Sequence, residues 1–167
     1  MPRPTKPVLD EPSPGLDTQP KPGCDTLKTN TSDTKAVVLD TNILLDVWLY
    51  QDPATPALQT ALQQRLVNWV ATPPMREEFH RVLTYPHITL RRSKQNIEVE
   101  WMLAQFDAYA QMKVVAPRAP YVCKDPDDQK FIDLAVAHKA LLISKDKQVL
   151  RLTNRLARLS VYVKNKF

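Results

Sequence analysis

Four acidic residues of this chain occupy positions where a layered α/β protein gathers side chains that do chemistry. Asp40 directly follows an apolar run at 37–39, and Asp146 comes two residues after another at 140–144. Asp128 begins an apolar helical segment, and Glu78 lies within a second one. Carboxylates that converge repel one another, and a hard divalent cation such as Mg²⁺ is the usual reason to gather them. One or two such ions can lower the pKa of a bound water and stabilise the charge on a phosphoryl centre.

Each of these residues also has a purely structural interpretation. Asp40 and Asp128 are common helix N-caps, and Asp146 lies in a lysine-rich turn. Glu78 has arginines of its own helix within reach for a solvated ion pair. Their joint order and placement, rather than any single residue, predicts a shared site.

The segments between these acids predict strands that alternate with helices. Strands are predicted at 37–39, 69–72, 113–116, 140–144 and 161–163, and helices at 43–49, 57–69, 75–84, 93–110, 127–138 and 147–158, with a linker at 90–92. Alternating elements favour a parallel sheet that is covered on both faces. We therefore predict an α/β fold, a three-layer α/β/α sandwich with a four- to five-stranded, mostly parallel sheet. Ligands bind such sheets beyond the carboxyl ends of the strands, where Asp40 and Asp146 would lie.

The composition excludes several other classes of site. Both glycines of the chain lie before residue 36, so the folded part can form neither a glycine-rich phosphate loop nor a G-x-S-x-G nucleophile elbow. Its turns must use Asn, Asp, Pro or Lys instead. The two cysteines, Cys24 and Cys123, are isolated, and the three histidines show no ligand spacing. Neither a zinc site nor a disulfide framework is predicted.

Residues 1–35 differ from the rest and predict a disordered, proline-rich tail before a folded domain at 36–167. They contain seven of the 15 prolines, few hydrophobic residues and equal numbers of acids and bases. The formal charge of +5 therefore belongs to residues 36–167 and favours a polyanionic partner. The chain has neither a secretory signal nor a run of about 20 apolar residues, which predicts a cytoplasmic protein without a membrane partner.

The ordered set of motifs resembles the PIN-domain ribonuclease family. The matching segments are VLDTN at 38–42, EFHRVL at 78–83, DPDDQKFIDLA at 125–135 and ISKDK at 143–147. The resemblance spans residues 36–163 and is greatest to bacterial members described as toxins of toxin–antitoxin systems. It implies a PIN-like fold and a metal-dependent endoribonuclease that hydrolyses phosphodiester bonds of RNA.

The resemblance also implies roles for individual residues and partners. It implies four catalytic carboxylates that bind Mg²⁺ or Mn²⁺, with two supporting polar residues: Asp40, Glu78, Asp128 and Asp146, supported by Asn42 and Ser144. It further implies an antitoxin that covers the acidic groove, and a homodimer. Basic residues are candidates for holding RNA phosphates: Arg76, Arg81, Lys145 and the arginines and lysines at 151–166.

Two departures from the family pattern leave alternatives open. Lys145 stands where the family usually has glycine before the last aspartate, and His138-Lys139 where it tends to have glycine before the fourth strand. Asp146 is therefore the least secure ligand, and a catalytically impaired, PIN-like RNA-binding module is the main alternative. A phosphatase-like hydrolase with Asp40 as nucleophile is less favoured, because such enzymes usually carry a second aspartate where this chain has Asn42.

Overall fold

A computed structural model describes residues 34–167, so nearly all of the predicted tail lies outside the described residues. The five strands are β1 Ala36–Leu39, β2 Asn68–Ala71, β3 Gln111–Met112, β4 Leu141–Ile143 and β5 Tyr162–Lys164. They form one parallel sheet in the order β3-β2-β1-β4-β5. The predicted α/β fold with a parallel sheet is confirmed.

Eight helices connect the strands of the described part. They are α1 Thr41–Leu45, which continues as wider π-helical turns over Asp46–Tyr50, then α2 Pro56–Gln63, α3 Pro73–Leu83, α4 Pro86–Lys94, α5 Val99–Tyr109, α6 Gln129–His138, α7 Lys147–Leu150 and α8 Thr153–Ala157. Crossovers between parallel strands are right-handed, so α1–α5 cover one face of the sheet and α6–α8 the other. No helix in residues 34–167 is long and apolar enough to cross a membrane.

The strand order places a topological switch point between β1 and β4. From β1 the chain proceeds outwards to β2 and β3, then returns through α6 to β4 on the other side of β1. Helices on either side of a switch point diverge to opposite faces, which opens a crevice beyond the carboxyl ends of the two strands. Asp40 follows β1 and Ser144 follows β4, so both lie at this crevice.

An aromatic cluster fixes α3, which carries Glu78, against the sheet. Trp69 of β2 lies 4.7 Å from the Phe106 ring of α5, and Phe106 lies 5.7 Å from Phe79 of α3. Trp48 contacts both Trp69 and Phe79. All four side chains are buried. Because Phe79 is anchored in this cluster by two ring contacts, the adjacent Glu78 is held at the edge of the core.

The segment at 86–110 differs from the prediction of a linker followed by one long helix. Pro86 begins α4, because proline is favoured at the first helical position. Arg92, predicted to lie in the linker, is buried on this helix and donates hydrogen bonds to the carbonyls of Leu83 and Ile97. A second helix, α5, then begins at Val99.

Three further sequence predictions were wrong in this half of the chain. The helix predicted to reach residue 69 ends at Gln63. The third strand is Gln111–Met112 rather than 113–116, and Val114 is 86% exposed beyond the pairing with β2. The apolar positions of the helix predicted at 93–110 include Trp101 as a core candidate, but Trp101 is 46% exposed because Met102 and Phe106 define the inward face of α5.

The glycine-free domain uses other residues where the backbone is left-handed. Positive φ angles occur at Gln51, Arg65, Asn96, Lys139 and Ser160. Asn and Lys had been predicted for such positions, whereas Gln, Arg and Ser had not. Each L-residue in this conformation costs about 1–2 kcal/mol relative to the right-handed helix.

Candidate active site

Asp40 is the buried centre of the acidic crevice. Its backbone N–H donates to the Ile143 carbonyl at 3.0 Å, which extends the pairing of β1 with β4 by one residue. Ser144 Oγ donates to Asp40 Oδ2 at 2.7 Å, and the Asn42 backbone N–H approaches Oδ1 at 3.4 Å, a long hydrogen bond. Burial raises the pKa of Asp40, and these hydrogen bonds only partly oppose that effect. The Asn42 side chain itself is exposed.

Ser144 connects two of the predicted carboxylates. It is fully buried, and its Oγ accepts a hydrogen bond from the Asp146 backbone N–H at 3.0 Å while donating to Asp40. Asp146 is the N-cap of α7, where its Oδ1 accepts from the Gln148 N–H at 2.6 Å. Asp146 is therefore both a cap and a member of the crevice.

Glu78 does not form the solvated arginine pair that was the structural alternative. Its Oε1 accepts a hydrogen bond from Thr41 Oγ1 at 2.8 Å, and its Oε2 forms an ion pair with Lys130. Arg76 instead forms a bidentate ion pair with Asp107, at 2.6 and 2.7 Å. Arg76, which was a candidate for binding RNA phosphates, is therefore already paired.

Asp128 shows the clearest departure from a purely structural role. It lies at the N-cap position of α6, yet its side chain makes no capping hydrogen bond. Its Oδ2 is buried and has no hydrogen-bond partner among residues 34–167. Burial, together with the smaller effect of the nearby charges of Asp40, Asp146, Asp125 and Glu78, raises the pKa of Asp128 to about 7.

The four predicted carboxylates lie near enough to one another to affect each other's pKa. The charges of Asp40, Asp146 and Glu78 raise the pKa of Asp128. Those of Glu78 and Asp146 raise the pKa of Asp40. Four segments distant in sequence thus meet at the carboxyl edge of β1 and β4. An unpaired carboxylate oxygen near three other acids in a crevice is an environment that favours a cation.

The four carboxylates provide the type of ligand atom that a hard divalent cation prefers. All four side chains offer carboxylate oxygens, which Mg²⁺ and Mn²⁺ prefer, and the Asp128 oxygen lacks a partner in the described chain. Within residues 34–167, however, no three acidic, histidine or cysteine side chains are already arranged to hold an ion. Glu78 is engaged by Lys130, so binding requires at least this contact to rearrange.

Lys145, which replaces the usual family glycine, is held outside this carboxylate set. Its Nζ forms ion pairs with Asp46 Oδ2 at 2.7 Å and with Asp52 Oδ2 at 2.8 Å. The φ angle of Lys145 is not positive, so the backbone at this position does not require glycine. The substitution therefore leaves the turn before Asp146 intact.

Several residues that shape the site were not identified from the sequence. Thr41 and Lys130 hold the two oxygens of Glu78. Gln129 is buried, accepts from the Cys123 N–H at 2.7 Å and donates to Asp133 Oδ1 at 2.7 Å. This network fixes the loop that leads to Asp128. Its sequence signal is the i, i+4 spacing of Gln129 and Asp133 in the first turns of α6.

Comparisons with known proteins agree with this fold and its order of motifs. A family model described as PIN domain matches residues 36–148. An uncharacterized protein of Methanocaldococcus jannaschii is 27% identical over 119 residues, covering 70% of this chain and 74% of the relative.

The same fold occurs in a solved structure. The crystal structure of VapBC2 from Rickettsia felis bound to a DNA fragment from their promoter has a chain that superposes with a TM-score of 0.52 at 11% identity. The match covers 79% of this chain and 99% of that one. The family model includes the strand that ends at Asp40, the helix with Glu78, and the segments with Asp128 and Asp146. This chain is thus a member of the PIN domain family.

Proposed function

We propose that this protein is a cytoplasmic endoribonuclease that hydrolyses RNA phosphodiester bonds with Mg²⁺ or Mn²⁺. PIN domains are in general nucleases, and they typically use divalent metal ions. The observation that carries the proposal is the convergence of four carboxylates on the β1–β4 switch point, with an Asp128 oxygen that has no partner among residues 34–167. The net charge of +5 suits a polyanionic substrate.

In this proposal each residue has a definite task. Asp40, Glu78, Asp128 and Asp146 hold the ion. Ser144 fixes Asp40 and the backbone of Asp146 relative to each other, as outer hydrogen-bond partners do at metal sites. When bound, a divalent ion generates a nucleophile from water at neutral pH and neutralises phosphoryl charge.

The proposal is tested with the purified full chain and a labelled single-stranded RNA. We expect cleavage with Mg²⁺ or Mn²⁺ and none with a chelator. Asp40→Asn should lower the cleavage rate by at least about a hundredfold, because it weakens charge stabilisation at the reacting phosphate. Asp107→Asn is the matched control, since Asp107 lies outside the crevice and pairs with Arg76.

Two results would contradict this proposal. One is cleavage that persists in chelator, and the other is cleavage that survives Asp40→Asn in a protein with an unchanged unfolding temperature. Equal losses in Asp40→Asn and Asp107→Asn would indicate a general effect on folding rather than loss of a ligand.

We further propose that the protein acts as the toxin of a toxin–antitoxin pair. The support is the fold that this chain shares with a chain of the VapBC2 structure. Expression in a bacterial host should arrest growth, and Asp40→Asn should abolish the arrest. Co-expression of a small protein encoded beside this gene should restore growth; unimpeded growth with active enzyme would argue against the toxin role.

A non-catalytic RNA-binding module is the second candidate function. The ion pair between Lys130 and Glu78 favours it, because it occupies one of the four carboxylates. This candidate predicts RNA binding that chelator does not weaken, together with no cleavage at any metal concentration. Metal-dependent cleavage by the full chain would exclude it.

A further inference from the structure

Both carboxylate oxygens of Glu78 are already engaged. Oε1 accepts from Thr41 and Oε2 pairs with Lys130, and the Glu78 side chain is only 13% exposed. Thr41 is neutral and fixed at the start of α1, so its hydrogen bond is compatible with a cation on the other oxygen. The ammonium of Lys130 is not, because two cations on one oxygen repel each other.

Lys130 is held in a way that allows it to move. Its side chain is 23% exposed, its Nζ donates to the Asp127 carbonyl, and it lies 5.2 Å above the Phe131 ring. An open cavity of about 370 Å³ adjoins this ammonium. It is lined by Pro74, Glu77, Glu78, Arg81, Asp127 and Lys130. A lysine stem with four rotatable bonds can turn from Glu78 into this cavity without backbone movement.

We propose that Lys130 is a positioning residue that exchanges partners: it neutralises Glu78 in the metal-free protein and, once a divalent cation binds there, holds an RNA phosphate in the adjoining cavity. The inference rests on the proposed function. It extends that function by assigning the phosphate subsite to the cavity beside α3 and the start of α6.

The charges around the cavity support an anionic occupant once the metal has bound. The released Lys130 ammonium and the Arg81 guanidinium line the same cavity, and each can donate charge-assisted hydrogen bonds to phosphate oxygens. Glu77 and Asp127 also line this cavity, so its acidic side chains outnumber its basic ones by one until Glu78 is shared with a metal. Metal binding therefore changes the net charge of the cavity towards positive, which couples the two binding events.

The first measurement is Mn²⁺ binding to the full chain without RNA, by titration calorimetry. Lys130→Met retains the apolar stem and removes the competing ammonium, so we expect Mn²⁺ to bind at least about threefold more tightly. Lys130→Arg retains the charge and should bind Mn²⁺ about as the natural protein does. Lys94→Met is the matched control, because it removes one positive charge from the exposed end of α4.

The second measurement is RNA affinity in chelator and in Ca²⁺, with intact RNA verified on a gel. We expect Ca²⁺ to increase the affinity of the natural protein more than that of Lys130→Met, by about tenfold, which corresponds to one charge-assisted contact. Lys130→Arg should restore the larger increase. A residue that only stabilised the fold would not change this coupling.

Unchanged Mn²⁺ affinity in Lys130→Met overturns the exchange of partners, as does an equal Ca²⁺-dependent gain in RNA affinity. Either result leaves the proposed nuclease function intact if Asp40→Asn still loses Mn²⁺ binding and cleavage. A natural protein that binds no Mn²⁺ overturns both the inference and the proposed function.

Discussion

Two lysines beside the acidic crevice form ion pairs of different kinds. Lys130 pairs with Glu78, a predicted ligand, and its side chain is 23% exposed. Lys145 pairs with Asp46 and Asp52, at the start of the π-helical turns after α1 and just beyond them, and its side chain is 40% exposed. The first lysine occupies the crevice, whereas the second fastens the loop to the segment that follows α1.

The difference shows that a positive charge near a cluster of acids cannot be assigned a role from its sequence position. Lys145 immediately precedes Asp146, yet its charge is taken up by other carboxylates. Lys130 is two residues from Asp128 on α6 and pairs with α3. Only the tertiary contacts distinguish a lysine that competes for a ligand from one that stabilises a turn.

Among the residues that support the carboxylates, Ser144→Ala should have the largest effect, because Ser144 contacts both sides of the crevice. The change removes the hydroxyl that donates to Asp40 and accepts from the Asp146 N–H. We expect a loss of about 10- to 100-fold in metal affinity or cleavage, which is typical when a hydrogen-bond partner of a metal ligand is removed. The free energy of unfolding should fall by about 1–3 kcal/mol. Cleavage assays and urea unfolding measure the two effects.

Ser160→Ala is the control for Ser144→Ala, since Ser160 is an exposed turn residue before β5. A Ser144→Ala protein with natural metal affinity and cleavage would show that Asp40 keeps its position without this hydrogen bond.

Asp128→Asn should stabilise the metal-free protein, with a gain that depends on pH. The Asp128 pKa is about 7 in the folded state, against an ordinary value of 3.8. Between these values the folded state binds more protons, so the stability of the natural protein falls as pH rises. The gain from Asn should therefore be small near pH 4, increase up to about pH 7 and then remain constant. Urea unfolding in chelator measures it.

Asp107→Asn is the control for this pH series, because its ion pair with Arg76 lowers the Asp107 pKa. Asp107→Asn should lower the free energy of unfolding at pH values where Asp107 is ionised, because it removes this ion pair. An Asp128→Asn gain of equal size at every pH would contradict the raised pKa.

Lys145→Met should have a smaller effect on both stability and cleavage than Ser144→Ala. The Lys145 side chain is 40% exposed, so water and salt partly screen its ion pairs, although Asp46 is only 14% exposed. Added salt should reduce the loss further. If Lys145→Met increased metal affinity as much as Lys130→Met does, the distinction between the two lysines would fail.

Lys139→Gly should have the smallest effect, a gain of about 0.5–1 kcal/mol in the free energy of unfolding. Lys139 ends α6 with φ 48°, where glycine avoids the left-handed penalty but has a higher unfolded-state entropy. His138→Gly, one residue earlier within the helix, should instead destabilise by about 1 kcal/mol. Thermal unfolding distinguishes them, and equal signs would contradict the backbone argument.

The strands and helices that carry the acids were predictable because their signals are local. Asp40 after a β-branched run and the apolar helix after Asp128 depend on patterns of fewer than a dozen residues. The segment at 86–116 was less predictable, because its boundaries depend on long-range contacts. Buried Arg92 caps the carbonyl of Leu83, and the position of β3 is set by its pairing with β2.

The sequence by itself determined the fold class, the order of its motifs and the residue types that could hold a divalent cation, since each is encoded in short-range pattern. Tertiary structure alone decided which charges meet. It paired Lys130 with Glu78 and Lys145 with Asp46, and left an oxygen of Asp128 without a hydrogen bond within residues 34–167. The reason is physical: Coulomb interactions depend on distance and burial in the folded state, and neither can be read from spacing along the chain.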